Sequence, residues 1–103
     1  MKNDGKTKYL QQAEFCKFMA NAKRIEIISI LKDGEMCVED IAEIMYINIP
    51  NVSQHLAVMK KKGIVASRRE GVKIFYRLSS RKIFQACIVM EELMNEHKSI
   101  VSL

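Results

Sequence analysis

Apolar residues recur at helical spacing in the middle of the chain. Val52, Leu56 and Met59 follow an i, i+4, i+7 pattern, which predicts a helix with one side facing a core. Two residues mark its start. Asn48 stands at an N-cap position, and Pro50 falls in the first turn, where its missing N–H removes no hydrogen bond. The pattern therefore predicts a helix that begins after Asn48.

A β-ribbon is predicted directly after this helix. Gly63 ends the helix, and Ile64 opens a run of β-branched and aromatic residues folded about Gly71, which supplies the positive φ of a tight turn. A short helix over residues 38–45 precedes the turn into the capped helix, and its apolar residues are Ile41, Ala42, Ile44 and Met45. Helix, turn, helix and two-stranded ribbon together predict a winged helix-turn-helix over residues 38–78.

Three further helices complete the predicted fold. Residues 7–20 and 23–32 form the first two helices, and residues 1–6 are expected to be frayed. In the second helix, Ile25, Ile28 and Leu31 are expected to point inward. The last helix begins after Ser79 or Ser80 and runs to about His97. The predicted fold class is mainly α with a two-stranded β-wing, in the order α1-α2-α3-α4-β1-β2-α5, as a single domain over residues 1–103.

The last helix carries a narrow stripe of apolar residues, and a small monomer has few other residues with which to bury it. Ile83, Cys87, Met90 and Met94 keep a 4-3-4 spacing typical of helix-to-helix contacts. A chain of 103 residues has a modest core. We therefore expect a symmetric homodimer built from the first and last helices.

Positive charge is concentrated on the capped helix and the ribbon. Residues 51–82 hold nine Lys or Arg and one acid, a net charge of +8, whereas the rest of the chain holds eight bases and eleven acids, a net −3. An ordinary solvated surface mixes both signs. The segregation predicts a nucleic-acid face, with double-stranded DNA as the partner and no membrane.

Eight side chains are candidates for DNA contact. Amide, hydroxyl and imidazole groups on the capped helix suit base edges, and cations there and on the ribbon suit phosphates. The candidates are Asn51, Ser53, Gln54, His55, Lys60, Arg68, Arg69 and Lys73. An exposed polar helix side is the simpler interpretation of the first four, and His55 has semi-buried structural support as its alternative.

Three segments carry a family likeness: FMANAKRIEIISIL, GEMCVEDIAEIM and NIPNVSQHLAVMKKKGIVASRREGVKIFYRLSS. They resemble the ArsR/SmtB family of metal- and redox-responsive repressors. The resemblance implies a homodimeric repressor that binds an inverted-repeat operator and is released by a thiol-reactive or soft-metal inducer. Rival hypotheses are a winged-helix repressor without a small-molecule input, a winged-helix protein–protein interaction module, and an architectural DNA binder without sequence preference.

The cysteines are the candidate sensors. The family often has Cys-Val-Cys at the start of the third helix; this chain has Cys37-Val38-Glu39, so one thiol of that pattern is missing. Cys37, Cys16 and Cys87 are candidate sensor thiols. Cys37 with Cys16 of the same or the partner subunit could hold a soft metal ion or arsenite, and reversible cysteine oxidation is the other candidate input. Cys16 and Cys87 are also explained as small apolar residues, and the seven methionines as core filler rather than copper ligands.

Other classes of function find little support. No glycine-rich phosphate loop, carboxylate pair or Ser-His-Asp set occurs, so we do not expect an enzyme. The last helix offers Glu91, Glu92, Glu96 and His97, a set better explained as a solvated face than as a zinc site. Without an apolar segment of membrane-spanning length or a secretion signal, the chain is expected in the cytoplasm.

Overall fold

The computed structural model describes residues 4–97 and confirms a winged helix-turn-helix fold. Five helices and three strands follow one another in the order α1 (Asp4–Met19), α2 (Ala22–Ile30), β1 (Met36–Cys37), α3 (Val38–Met45), α4 (Ile49–Lys61), β2 (Val65–Glu70), β3 (Lys73–Leu78) and α5 (Arg81–Glu96). Helix α1 begins at Asp4, three residues before the predicted start at residue 7. Residues 1–3 lie outside the described part of the chain.

The core lies where α2, α3 and α4 meet the sheet. Val52, Leu56 and Met59 of α4 are all 0% exposed, as their spacing predicts. The other buried apolar residues are Phe18, Ile27, Ile28, Leu31, Val38, Ile41, Ala42, Met45, Ile64, Val65 and Tyr76. One inward prediction is wrong, because Ile25 is 41% exposed. The predictions for Ile28 and Leu31 are confirmed, and Ile27 is buried beside them.

Local hydrogen bonds fix the helix-turn-helix. The Asn48 side-chain oxygen accepts a hydrogen bond from the backbone N–H of Asn51 at 2.8 Å, so Asn48 is the N-cap of α4 as predicted. Tyr46 ends α3 with φ 59°, a left-handed conformation that turns the chain sharply toward α4. The cap and the turn set the angle at which α4 leaves α3.

The sheet has three strands, not the two that the sequence predicts. Met36 and Cys37 form a short strand that pairs antiparallel with β3, giving the order β1-β3-β2. Two residues carry no alternation that a sequence pattern could reveal. The hairpin of β2 and β3 is confirmed, with Gly71 at φ +63° in its turn. β1 therefore ties the segment before α3 to the base of the wing.

Helices α1 and α5 are packed least completely. Ser80 is the N-cap of α5, since its hydroxyl accepts from the backbone N–H of Lys82. No residue of α5 is buried within the described chain. Large apolar side chains are exposed on both helices, namely Tyr9, Leu10, Phe15, Ile88, Val89, Met90, Leu93 and Met94. Helices α1 and α5 thus together leave an apolar surface exposed.

Candidate nucleic-acid interface

The side of α4 opposite the core forms an exposed polar stripe. Gln54, Ala57 and Lys61 recur at i, i+3 and i+7 and are all exposed. Lys60 and Lys61 stand in the last turn, where the helix dipole favours positive charge. Neither lysine forms an ion pair with any residue in the described range 4–97. The stripe combines an amide with cations that are free to meet phosphate.

The four adjacent candidates on α4 do not share one face. Successive residues of a helix point in directions about 100° apart, so Asn51 and Ser53 lie on opposite sides of the buried Val52. Ser53 lies on the same side as Lys60, seven residues on, and Asn51 on the same side as His55, four residues on. Ser53, Asn51 and His55 are each half-buried, while Gln54 is exposed. Gln54 is the candidate that most openly faces solvent.

Asn51 and His55 form the flank of α4 nearer to α2. The Asn51 Oδ1 atom is shielded from solvent and has no hydrogen-bond partner within the described chain. Burial, with a smaller contribution from the positive charges of Arg24 and Lys23, holds the pKa of His55 below its ordinary value. A neutral, half-buried imidazole fits the structural alternative for His55. Base contact by Asn51 and His55 stays a prediction.

Arg68 on the wing is engaged within the protein. Its Nε donates to both carboxylate oxygens of Glu35, at 2.9 and 3.0 Å, and its Nη2 also pairs with Glu35. Its Nη1 donates to Glu70 at 2.7 Å, and the guanidinium stacks 4.7 Å from the ring centroid of Phe75. The Arg68 guanidinium holds the pKa of Glu35 below its usual range. Two carboxylates therefore compete with any phosphate for Arg68.

Arg69 and Lys73 are placed differently from Arg68. Side chains alternate along a strand, so Arg69, which pairs with Ile74, lies on the opposite sheet face from Arg68. Lys73 shares the face of Arg68 and lies directly opposite Glu70. Arg69 and Lys73 are exposed, and neither forms an ion pair among residues 4–97. Of the two candidate arginines on the wing, Arg69 is thus the one that remains available for phosphate.

Glu35 and Lys61 are the residues that the sequence-based candidates omit. Glu35 stands 33 positions before Arg68. No local pattern connects residues so far apart, so the ion pair could not be read from spacing. Lys61 could have been included, because it lies seven residues after Gln54 and so repeats on the same helix side.

The three candidate thiols are divided between two locations. Cys37 is 1% exposed and pairs in register with Phe75. Cys16 is exposed and Cys87 half-buried, and both line an apolar cavity of about 370 Å³ between α1 and α5. Cys37 does not line that cavity, so within one protomer the structure does not bring Cys37 and Cys16 to a shared site. Within the described chain, no three His, Cys, Asp or Glu side chains cluster as metal ligands.

Comparisons with known proteins agree with this geometry. A family model described as "Bacterial regulatory protein, arsR family" matches residues 21–67. The HTH-type transcriptional regulator Rv0324 of Mycobacterium tuberculosis is 32% identical over 97% of this chain, which spans only 45% of that relative. The uncharacterized HTH-type transcriptional regulator MJ1325 of Methanocaldococcus jannaschii is 33% identical over 84% of the chain and 98% of the relative. Other relatives are named repressors, and one is named an activator.

A solved structure gives the same fold. The homodimeric winged helix-turn-helix DNA-binding domain of Mb0332 from Mycobacterium bovis, determined by solution NMR, superposes with a TM-score of 0.79 and 32% identity. The match covers 94% of this chain and 91% of the other. Within residues 4–97, no helix has the length and apolar character needed to cross a membrane.

Proposed function

Because the chain belongs to the arsR family of bacterial regulatory proteins, we propose that it is a transcriptional repressor that binds operator DNA as a homodimer. One observation carries the proposal. Gln54, Lys61 and Arg69 are exposed and not engaged with acids, on the helix and wing that the fold uses for DNA. The cytoplasm is the matching location for a protein that acts on a bacterial or archaeal chromosome.

The proposed contacts divide into reading and positioning. Gln54, with its amide on the outer stripe of α4, is the candidate for bidentate hydrogen bonding to a base edge in the major groove. Lys60, Lys61, Arg69 and Lys73 bind phosphates and fix the register. Ser53 reaches phosphate or base from the flank of α4. We give Arg68 a supporting role in the wing, because Glu35 and Glu70 already satisfy its guanidinium.

Dimerisation supplies the second half of the site. The apolar surface of α1 and α5 lies outside the DNA-binding elements and has no cover within the described protomer. Pairing through it would bring two copies of α4 to successive major grooves, about 34 Å apart, and select an inverted repeat. The NMR homodimer of Mb0332 supports this arrangement.

The direct test is a fluorescence anisotropy titration of DNA from upstream of the gene, with unrelated duplex as competitor. Gln54→Ala should weaken binding by about 1–3 kcal/mol, roughly 5- to 150-fold. Lys8→Ala is the control: it removes a positive charge from α1, outside the proposed interface, and should leave the affinity for DNA nearly unchanged. Circular dichroism and sedimentation would verify that each variant stays folded and dimeric.

The rival functions give different results in the same assay. A protein–protein interaction module would show no specific DNA binding in any variant. An architectural DNA binder would bind unrelated duplex as tightly as the promoter, whereas a repressor prefers its site by about 10³-fold or more. A reporter gene under the promoter then distinguishes repression from activation.

Release by an inducer is a separate part of the proposal. An inducer must bind the low-affinity conformer better than the DNA-bound one, and a coupling of ~1–3 kcal/mol would change affinity 5- to 150-fold. Repeating the titration with arsenite, zinc, cadmium, peroxide and persulfide, on wild type and Cys37→Ser, tests it. If no addition changes affinity, the repressor proposal stands without a small-molecule input.

A further inference from the structure

An aromatic side chain is almost fully exposed in the turn that leads into α4. Tyr46 is 94% exposed, and with φ 59° it is the only residue other than glycine in the described range 4–97 that has a left-handed backbone. This conformation lets the N–H of Ile47 donate to the carbonyl of Ala42 at 3.3 Å, which closes α3. Glycine adopts such a conformation most readily and would expose no apolar ring. The turn itself therefore does not require a tyrosine at this position.

A second exposed apolar residue begins α4. Ile49 is the first residue of the helix, directly after the N-cap Asn48, and it is 45% exposed. It lies on the same side of α4 as Ser53, one turn later, which is a candidate for DNA contact. In a helix-turn-helix, the N-terminal residues of the recognition helix contact base edges. Ile49 is therefore positioned to meet a base, although its side chain forms no hydrogen bond.

The major groove offers one apolar feature that suits these two side chains. Thymine presents its C5-methyl group there, whereas the other bases are distinguished by their hydrogen-bond donors and acceptors. The charge of the adjoining surface also favours DNA. Residues 51–82 follow Ile49 almost at once and hold nine Lys or Arg against one acid, which suits an anionic partner. Continuity with α4 thus favours DNA over a partner protein as the molecule that covers Tyr46 and Ile49.

We propose that Tyr46 and Ile49 select thymine in the operator by packing against its C5-methyl group in the major groove. The inference rests on the proposed function and adds a base preference to it. Gln54 supplies the complementary part of that preference, because a glutamine amide can pair bidentately with adenine. The turn and the exposed side of α4 then select A·T pairs, with apolar groups for thymine and an amide for adenine.

The test replaces thymine by uracil, which removes the methyl group and keeps every base pair. Promoter DNA amplified with dUTP in place of dTTP is titrated by fluorescence anisotropy beside the normal duplex. Burial of one methyl group changes affinity about fourfold, so two half-sites should give wild type about a tenfold preference for the thymine duplex. Tyr46→Ala/Ile49→Ala should bind the two duplexes with nearly equal affinity.

Two variants serve as controls. Ile44→Ala truncates an isoleucine of similar exposure, 49%, on α3, and should keep the wild-type preference for thymine. Tyr46→Phe retains the aromatic ring and should keep that preference too. A full thymine preference in Tyr46→Ala/Ile49→Ala would overturn the inference, because other residues would then contact the methyl groups. Loss of the preference in Tyr46→Phe would also overturn it, by assigning the effect to the hydroxyl.

The same titrations separate this inference from the proposed function. If wild type binds promoter DNA specifically but does not distinguish thymine from uracil, the base preference is refuted and the repressor proposal stands. If wild type binds promoter DNA no better than unrelated duplex, the proposed function is refuted and the base preference with it.

A crosslinking measurement on wild type avoids any effect of substitution on folding. 5-Iodouracil carries iodine where thymine carries its methyl group, and irradiation joins the base to a side chain in contact with that position. Mass spectrometry of the irradiated complex should locate an adduct at Tyr46. The other two tyrosines give an internal comparison, since Tyr9 lies on α1 and Tyr76 is buried. Absence of an adduct at Tyr46 would contradict contact between this ring and thymine.

Discussion

Helices α4 and α5 carry the same kind of apolar pattern and have opposite environments. The pattern residues of α4, Val52, Leu56 and Met59, are completely buried beneath α2, α3 and β2. In α5, Cys87 is half-buried while Met90 and Met94 remain exposed, and no residue of the helix is buried. An apolar pattern therefore tells which side of a helix is covered, but not which molecule covers it.

The outer surfaces of the two helices also differ, one being polar and the other apolar. Away from the core, α4 presents Gln54 and Lys61, whereas α5 presents Val89 and Leu93. The apolar side of α4 is fully covered within one protomer, and its positively charged outer side is suited to binding an anion. The apolar side of α5 is not covered within one protomer, and an exposed apolar area of this kind is expected to pack against a second copy of the chain. Substitutions on the two helices and on the wing test this contrast.

The largest expected effect is on stability in α4. Leu56→Ala should lower the free energy of unfolding by about 2–5 kcal/mol, because it leaves a cavity in a fully packed site. Leu93→Ala in α5 should lower the free energy of unfolding by less than half that amount at protein concentrations where the protein is monomeric. Urea denaturation at low concentration measures both, and equal losses would contradict the contrast.

The next effect is on assembly. Leu93→Glu should raise the dimer dissociation constant about 30-fold or more, corresponding to the ~2 kcal/mol of an interface hot spot. Gln85→Glu introduces the same charge at another exposed position of α5 and serves as the control. Sedimentation velocity over a range of concentrations gives the constants. An unchanged constant for Leu93→Glu would exclude this side of α5 from the interface.

A smaller effect separates two neighbouring wing arginines. Arg69→Ala should reduce the slope of log affinity against log salt by about one for each phosphate that the variant no longer binds. Arg68→Ala should leave the slope closer to wild type, because Glu35 and Glu70 already neutralise that guanidinium. Anisotropy titrations from 50 to 200 mM salt provide the slopes, and the reverse order would show that Arg68 binds DNA.

The smallest effect is a pH dependence from His55. Its folded-state pKa lies below the ordinary value of 6.5, so the unfolded chain binds a proton that the folded chain excludes. The free energy of unfolding should be highest above pH 6.5 and fall as pH drops from there to the folded-state pKa. His55→Gln should lack this component, while His97→Gln at the exposed end of α5 should retain it. Urea denaturation at several pH values, at one protein concentration, tests this.

The sequence predicted those parts of the fold that depend on local signals. The Asn48 cap, the α4 core positions and the Gly71 turn each follow from residues close together in the chain, and all are confirmed. Strand β1 was missed because two residues form no pattern. Ile25 was predicted inward because helical spacing alone does not choose between adjacent sides of a helix rich in isoleucine.

The candidate site was predictable in composition but not in arrangement. Net charge pointed to the half of the chain that holds the candidate site, yet the pairing of Glu35 with Arg68 depends on the three-dimensional fold. Nearness in sequence also grouped Asn51 with Ser53, although helix geometry places them on opposite sides of the buried Val52. Likewise, Cys16 and Cys87 lie 71 positions apart in the sequence, so only the packing of α1 near α5 reveals that they line one cavity.

The distance between the two α4 helices in the dimer tests the central claim most directly. A spin label at Ala57, on the outer stripe of α4, can be introduced in a Cys16→Ser/Cys87→Ser background that retains the buried Cys37. Pulsed dipolar spectroscopy should give a distance centred near one turn of DNA, ~34 Å, that persists when promoter DNA is added. Absence of dipolar coupling, or a distance that cannot span adjacent major grooves, would contradict a dimer that places both α4 helices on one duplex.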